Sequence, residues 1–164
     1  MKVILIRHGD AEADAPDGLD DDARALNARA RNLLPAYFES LASRLGKPDF
    51  IFMSPLVRTV QTATLLARAI GYDGPVRAHR HLYPDGPVGA VEAMLQDMTG
   101  KTVVLVGHQP TMGVAAAHFL GMANFPKPVV PGMVIAVERP DHNPTVGRLL
   151  FSAAPGQPIV DAAG

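Results

Sequence analysis

No cysteine occurs anywhere in the 164-residue chain. A disulfide framework, thiolate-rich zinc sites and catalysis through a cysteine nucleophile are therefore excluded. Neither sign of charge dominates: 15 Lys and Arg stand against 16 Asp and Glu, a formal net charge of −1. No broad positive field favours nucleic acid or an anionic membrane, so neither is expected as a partner and any phosphate recognition must be local. Long apolar runs are also missing. The first run, Val3-Ile4-Leu5-Ile6, is far shorter than a signal-peptide core or a membrane span, and a cytoplasmic location is expected. The histidines show no His-x-x-x-His spacing and no nearby acidic triad, which argues against a zinc site. Neither a Walker-type glycine loop nor an Asp-x-Asp phosphatase motif is present. No metal or other cofactor is expected.

What is there describes an ordinary soluble globule, 48% hydrophobic and 19% charged. The length fits a single domain over 1–164, able to bury roughly 68–70% of the surface its unfolded chain exposes. No internal repeat or low-complexity tract interrupts it.

The apolar pattern alternates between strands and helices. After the first strand and a polar stretch from Asp10 to Asp22, Leu34, Phe38, Leu41 and Leu45 recur at helical spacing. Asn27 is a suitable N-cap for that helix, while Pro35 removes a backbone donor and should kink or delay it. Phe50 to Met53 reads as a short buried strand, and Ser54-Pro55 as an N-cap and first turn of a helix reaching about Ile70, ended by Gly71. Val76 to Ala78 fits a third strand. Val88, Val91, Leu95 and Met98 mark a helix face closed by Gly100, and Thr102 to Val106 a fourth strand, after which Pro110 opens another helix. Met133 to Val137 and Leu149 to Ser152 read as an antiparallel hairpin. The expected fold is an α/β three-layer sandwich with a mostly parallel central sheet, helices on both faces and an antiparallel C-terminal edge. The residues from about 154 are expected to form a surface tail.

Two strand ends carry the chemistry. Arg7-His8-Gly9 follows the first strand directly, and Gly107-His108-Gln109-Pro110 follows the fourth. In a parallel sheet the carboxyl ends share one rim, where ligands bind. Arginine's planar fork matches phosphate oxygens in pairs, so Arg7 beside His8 suits an anion held next to a nucleophile. Gly9 would let backbone amides approach the same anion without a β-carbon in the way. Arg58 lies in the first turn of the helix after the second strand, where a full charge adds to the free amides. Clustered arginines disfavour protonation of His8 and keep a lone pair available.

Val3-Ile4-Leu5-Ile6-Arg7-His8-Gly9-Asp10, the stretch Ser54-Pro55-Leu56-Val57-Arg58-Thr59-Val60-Gln61-Thr62-Ala63 and Gly107-His108 resemble, in order and spacing, the histidine phosphatase superfamily, over nearly the whole chain. The short length, the Arg-His-Gly-Asp-Ala opening and Tyr83-Pro84-Asp85-Gly86 are most similar to its small SixA-type phosphohistidine phosphatases. The resemblance implies a phosphoglycerate mutase-like fold and a nucleophilic His8 that takes the phosphoryl group covalently. It also implies that Arg7, Arg58 and His108 hold the phosphoryl oxygens. Arg24, ahead of Leu26-Asn27, resembles a further arginine of the phosphate pocket, with Asn27 in place of the usual threonine.

One departure bears on substrate. Many phosphomonoesterases of the superfamily carry a glutamate soon after the third strand, whereas His79-Arg80-His81-Leu82-Tyr83-Pro84-Asp85 has none. An alkoxide leaving group needs a proton badly; an imidazole is far less basic and needs less help. His81 or Asp85 remains a candidate proton donor. The expected activity is metal-independent hydrolysis of protein phosphohistidine, with a partner such as a histidine phosphotransfer domain in a signal-transduction relay. The alternatives are a small-molecule phosphomonoesterase using Asp85 or His81, and a non-catalytic phosphate-binding module. The second imidazole argues against the last, because binding alone does not require it.

Overall fold

The computed structural model describes residues 1–162. Its strands are β1 (Lys2–Arg7), β2 (Phe50–Met53), β3 (Val76–Ala78), β4 (Thr102–Gly107), β5 (Val134–Glu138), β6 (Arg148–Ala153) and β7 (Val160–Asp161). Four α-helices connect them: α1 (Ala28–Leu45), α2 (Val57–Ala69), α3 (Val88–Leu95) and α4 (Thr111–Phe119). All seven strands join one sheet in the order β3-β2-β4-β1-β5-β6-β7. The first four in that order run parallel, and β5, β6 and β7 extend the sheet antiparallel.

Both faces of the central strands are covered, which is why they read as unbroken apolar runs rather than alternating ones. Ile4 and Ile6 of β1 and Val104 and Val106 of β4 pack beneath α1 and α2. Val3, Leu5, Val103 and Leu105 point the other way, into a second core with α3 and α4. The three-layer α/β sandwich expected from the pattern is the observed architecture.

Helix α1 buries Ala30, Leu34, Phe38, Leu41 and Leu45 along one stripe. The side chain of Asn27 caps it, accepting from the Ala30 amide at 2.8 Å. Pro35 neither delays nor interrupts it, since the helix starts seven residues earlier and continues to Leu45. Burial of a whole apolar stripe outweighs the one backbone bond a proline removes.

Three boundaries differ from the sequence pattern, the first being α3, which ends at Leu95 instead of continuing through Met98 to Gly100. Helix α2 begins at Val57 with Leu56 as a cap that makes no side-chain bond, so Ser54-Pro55 precede the helix instead of opening it. The groups of Ser54 are committed elsewhere: its amide bonds to Val106, its carbonyl accepts from the Thr59 hydroxyl, and its own hydroxyl reaches His108. The tail after Ala154 is exposed as expected, yet it also forms β7 on the sheet edge. An ion pair between Arg44 of α1 and Asp161 secures it.

The strand register sets up the rim. Arg7 of β1 lies opposite Gly107 of β4, and Met53 of β2 lies opposite Val106. Residues 8, 54 and 108 therefore leave three adjacent strands at one level. Among the described residues, no helix is long and apolar enough to cross a membrane.

Candidate active site

His8 stays in line with the sheet after β1 ends, its amide donating to the Gly107 carbonyl at 3.0 Å. Its ring Nδ1 lies 2.6 Å from the carbonyl oxygen of Gly9. A carbonyl can only accept, so Nδ1 carries the proton and Nε2 holds the lone pair. The ring of His108 meets that of His8 edge-on, with centroids 5.2 Å apart. Both imidazoles are buried.

Burial holds the pKa of His8 down to about 4, helped by the charges of Arg58, Arg7 and Arg24 and opposed by the Gly9 hydrogen bond. His108 is lowered to about 3, again chiefly by burial, then by His8, Arg58 and Arg7, with Asp21 opposing. At neutral pH both rings are uncharged, and the positive charge of the site comes from guanidinium groups.

Arg7 donates through one terminal nitrogen to the Val129 carbonyl at 2.8 Å. Arg58, 4% exposed, sends its two terminal nitrogens to the backbone carbonyl and the carboxylate of Asp21, at 3.0 and 3.1 Å. The Nε atoms of both arginines are buried and unpartnered among the described residues. A buried donor without an acceptor is costly, and two such donors beside a pair of neutral imidazoles suit an anion with several oxygens. Arg24 joins the group through Asp21, donating from Nε to that carboxylate at 2.9 Å, while its terminal nitrogen holds the Glu12 carbonyl.

Gly9 has a different place from the one its sequence context implied. Its amide donates to the Thr62 hydroxyl at 3.0 Å, and its carbonyl accepts from His8, so both backbone groups are engaged within the protein. The lack of a side chain matters for packing, since a β-carbon there would lie 2.7 Å from Leu34 Cδ1. Asp85 is exposed, with a positive φ of 63°, in a connection fastened to α4 where Thr111 donates to Gly86. His81 lies beside His79 with the rings tilted by 60° and their centroids 4.8 Å apart, and its Nδ1 is buried without a partner among the described residues. Neither Asp85 nor His81 hydrogen-bonds to His8, Arg7, Arg58 or His108 among the described residues.

Three side chains make contacts at the site that the sequence pattern does not signal, Ser54 being expected there only as an N-cap. The Ser54 hydroxyl shares a 2.8 Å hydrogen bond with His108 Nε2 and fixes that ring. Thr62, one turn after Arg58, ties the Gly9 amide to the Arg58 carbonyl. Asp21 links Arg58 with Arg24. The polar loop and the helix were legible as elements, but nothing in their local pattern signals contacts made between them.

A family model of the histidine phosphatase superfamily (branch 1) matches residues 3–83. The phosphohistidine phosphatase SixA of Escherichia coli K12 is 28% identical over 121 residues, covering 72% of this chain and 73% of that protein. An uncharacterised protein of Picosynechococcus sp. is 34% identical over 116 residues, 69% of each chain. The structure of SixA complexed with tungstate superposes with a TM-score of 0.83 at 23% identity, covering 94% of this chain and 97% of that one. Sequence and fold thus converge, and the chain belongs to the histidine phosphatase superfamily.

Proposed function

We propose that the chain hydrolyses phosphohistidine on a protein, such as a histidine phosphotransfer domain, through a covalent phosphohistidine on His8. The observation that carries this reading is the His8 ring itself. Its Nδ1 proton is engaged by Gly9, its Nε2 lone pair is uncommitted to protons down to about pH 4, and Arg7, Arg24 and Arg58 lower its proton affinity. The likeness to a protein named as a phosphohistidine phosphatase supports the substrate class, as does the absence of glutamate from residues 79–85.

The reaction follows in two displacements. His8 Nε2 attacks phosphorus in line with the substrate's P–N bond, which breaks as the new N–P bond forms; the departing imidazole takes a proton from solvent. The His8 ring, still protonated at Nδ1, becomes a cationic phosphoimidazole, and the Gly9 carbonyl stabilises that charge. Water then attacks the phosphorus from the side opposite Nε2; as the O–P bond forms the P–Nε2 bond breaks and returns its electron pair to His8, the water gives a proton to solvent, and the phosphoryl group departs as orthophosphate. Phosphoryl transfer asks mainly for positioning and for positive charge around the equatorial oxygens. Arg7 and Arg58 supply the charge, with Arg24 further out, and neutral His108 contributes positioning alone. An imidazole leaving group makes a strong general acid unnecessary, so neither Asp85 nor His81 is required by the scheme.

Rates on a phosphohistidine protein and on sugar phosphates, measured side by side with EDTA present, test the proposal. Faster turnover of the phosphohistidine protein, unchanged by EDTA, is expected. Equal or faster hydrolysis of the esters would assign the chain to the small-molecule phosphomonoesterases instead.

A further inference from the structure

Three consecutive aspartates in the loop before α1 have three different partners. Asp20 accepts from the Asp22 amide and caps the 3-10 turn Asp21–Ala23. Asp22 bonds to the hydroxyl of Tyr83 across the rim. Asp21, between them, turns into the site. One of its carboxylate oxygens takes Arg24 Nε at 2.9 Å and the other takes Arg58 at 3.1 Å, while its backbone carbonyl takes the second terminal nitrogen of Arg58 at 3.0 Å.

We infer that Asp21 is an internal counter-ion that competes with a phosphoryl group for the donors of Arg58 and Arg24, and thereby loosens the hold of the site on its phosphate product. This inference rests on reading the same site as a phosphate pocket. Two features of the contact separate a fixed part from a movable one. The Asp21 carbonyl is held in place because its neighbours on either side anchor the turn, so Arg58 keeps one positioning contact whatever the side chain does. The carboxylate is 63% exposed while the Arg58 side chain is 5% exposed, so the acid can swing into water while the arginine stays. An ion pair exposed on one side is weak, and a doubly charged phosphoryl group meeting two guanidinium groups outcompetes it.

The charge balance gives the consequence. Both histidines are neutral near pH 7, so the arginines are the cations that retain phosphate, and Asp21 offsets one of their charges. The arginine environment in turn keeps the Asp21 carboxyl ionised, below the usual carboxylate range, chiefly through the Arg24 hydrogen bond. A product that stays bound blocks the next turnover, and a carboxylate that competes for Arg58 speeds its departure.

Titration calorimetry of orthophosphate into wild-type protein, D21N and D21E at pH 7 tests this. D21N keeps the backbone carbonyl and the side-chain shape, removes the charge and replaces one of the two acceptor oxygens with a donor, so only one arginine contact of the side chain can persist. It should bind orthophosphate roughly two- to fivefold more tightly, the range expected of an exposed ion pair. D21E restores the charge and should return the affinity toward wild type. In turnover assays, D21N should show stronger inhibition by phosphate without a rise in kcat. Equal or weaker phosphate binding by D21N overturns the inference and makes Asp21 a positioning residue alone. Failure of all three proteins to bind phosphate overturns the phosphate pocket together with the counter-ion. Because the titration uses no phosphohistidine, a wrong assignment of the substrate leaves its outcome readable.

Discussion

The hydroxyl of Thr62 accepts from the amide of Gly9 at 3.0 Å. The same oxygen donates to the Arg58 carbonyl, so one buried side chain joins the loop that follows His8 to the helix turn that bears Arg58. Replacing it in Thr62→Val keeps the shape and leaves the Gly9 amide without its acceptor. A buried orphan donor costs about 1–3 kcal/mol, which urea denaturation will measure. The kcat should fall as well, because Gly9 also fixes the His8 tautomer.

Gly9→Ala tests the same junction by volume. The new β-carbon would meet Leu34 Cδ1 at 2.7 Å and Leu26 Cδ2 at 3.2 Å, and both leucines are buried in the core under α1. Overpacking of this kind costs about 1–3 kcal/mol. A lowered Tm together with lowered kcat is expected; an unchanged Tm would show that α1 yields at this point.

Ser54→Ala removes the hydrogen bond that orients His108. Losing one such contact in the site should lower kcat/KM roughly tenfold, equivalent to about 1.4 kcal/mol, with little change in fold. Steady-state kinetics and the circular dichroism spectrum of the variant check both parts.

Acid should destabilise the protein through its two buried histidines, His8 and His108. Their folded pKa values, about 4 for His8 and about 3 for His108, lie below the unfolded value near 6.5. Between those limits the unfolded chain binds more protons than the folded one, so stability is fully present above about pH 6.5 and declines as pH falls toward 4 and below. Denaturant melts from pH 7 to pH 4 should show this decline, and a His8→Gln His108→Gln double variant should show less of it. The acid limb of kcat/KM should likewise lie near pH 4 rather than 6.5.

The core of the parallel half of the sheet was legible because strands buried on both faces leave continuous apolar runs, as in β1, β2 and β4, whereas the edge strand β3 is short, carries Arg77 and is largely exposed. The common edge of His8 and His108 followed from the same pattern, since each comes directly after such a run. The start of α2 was misplaced because Ser54 has the chemistry of an N-cap, while its hydroxyl is held by His108, 54 residues away. Strand β7 has two residues, too few for any alternation to be visible. Asp21 and Thr62 gave no local signal because each is defined by a partner on another element. The Asn27 cap, by contrast, needs only the amide three residues on, and so it is visible in the sequence alone.

The covalent role of His8 is the claim on which the reaction scheme rests. Rapid quenching at alkaline pH during turnover of a ³²P-labelled phosphohistidine protein, followed by peptide mapping, measures it directly, because a phosphoramidate survives base and is lost in acid. The scheme predicts acid-labile label on the peptide containing His8, and neither label nor turnover in His8→Ala. Undiminished turnover by His8→Ala, or label confined to another residue, would contradict it.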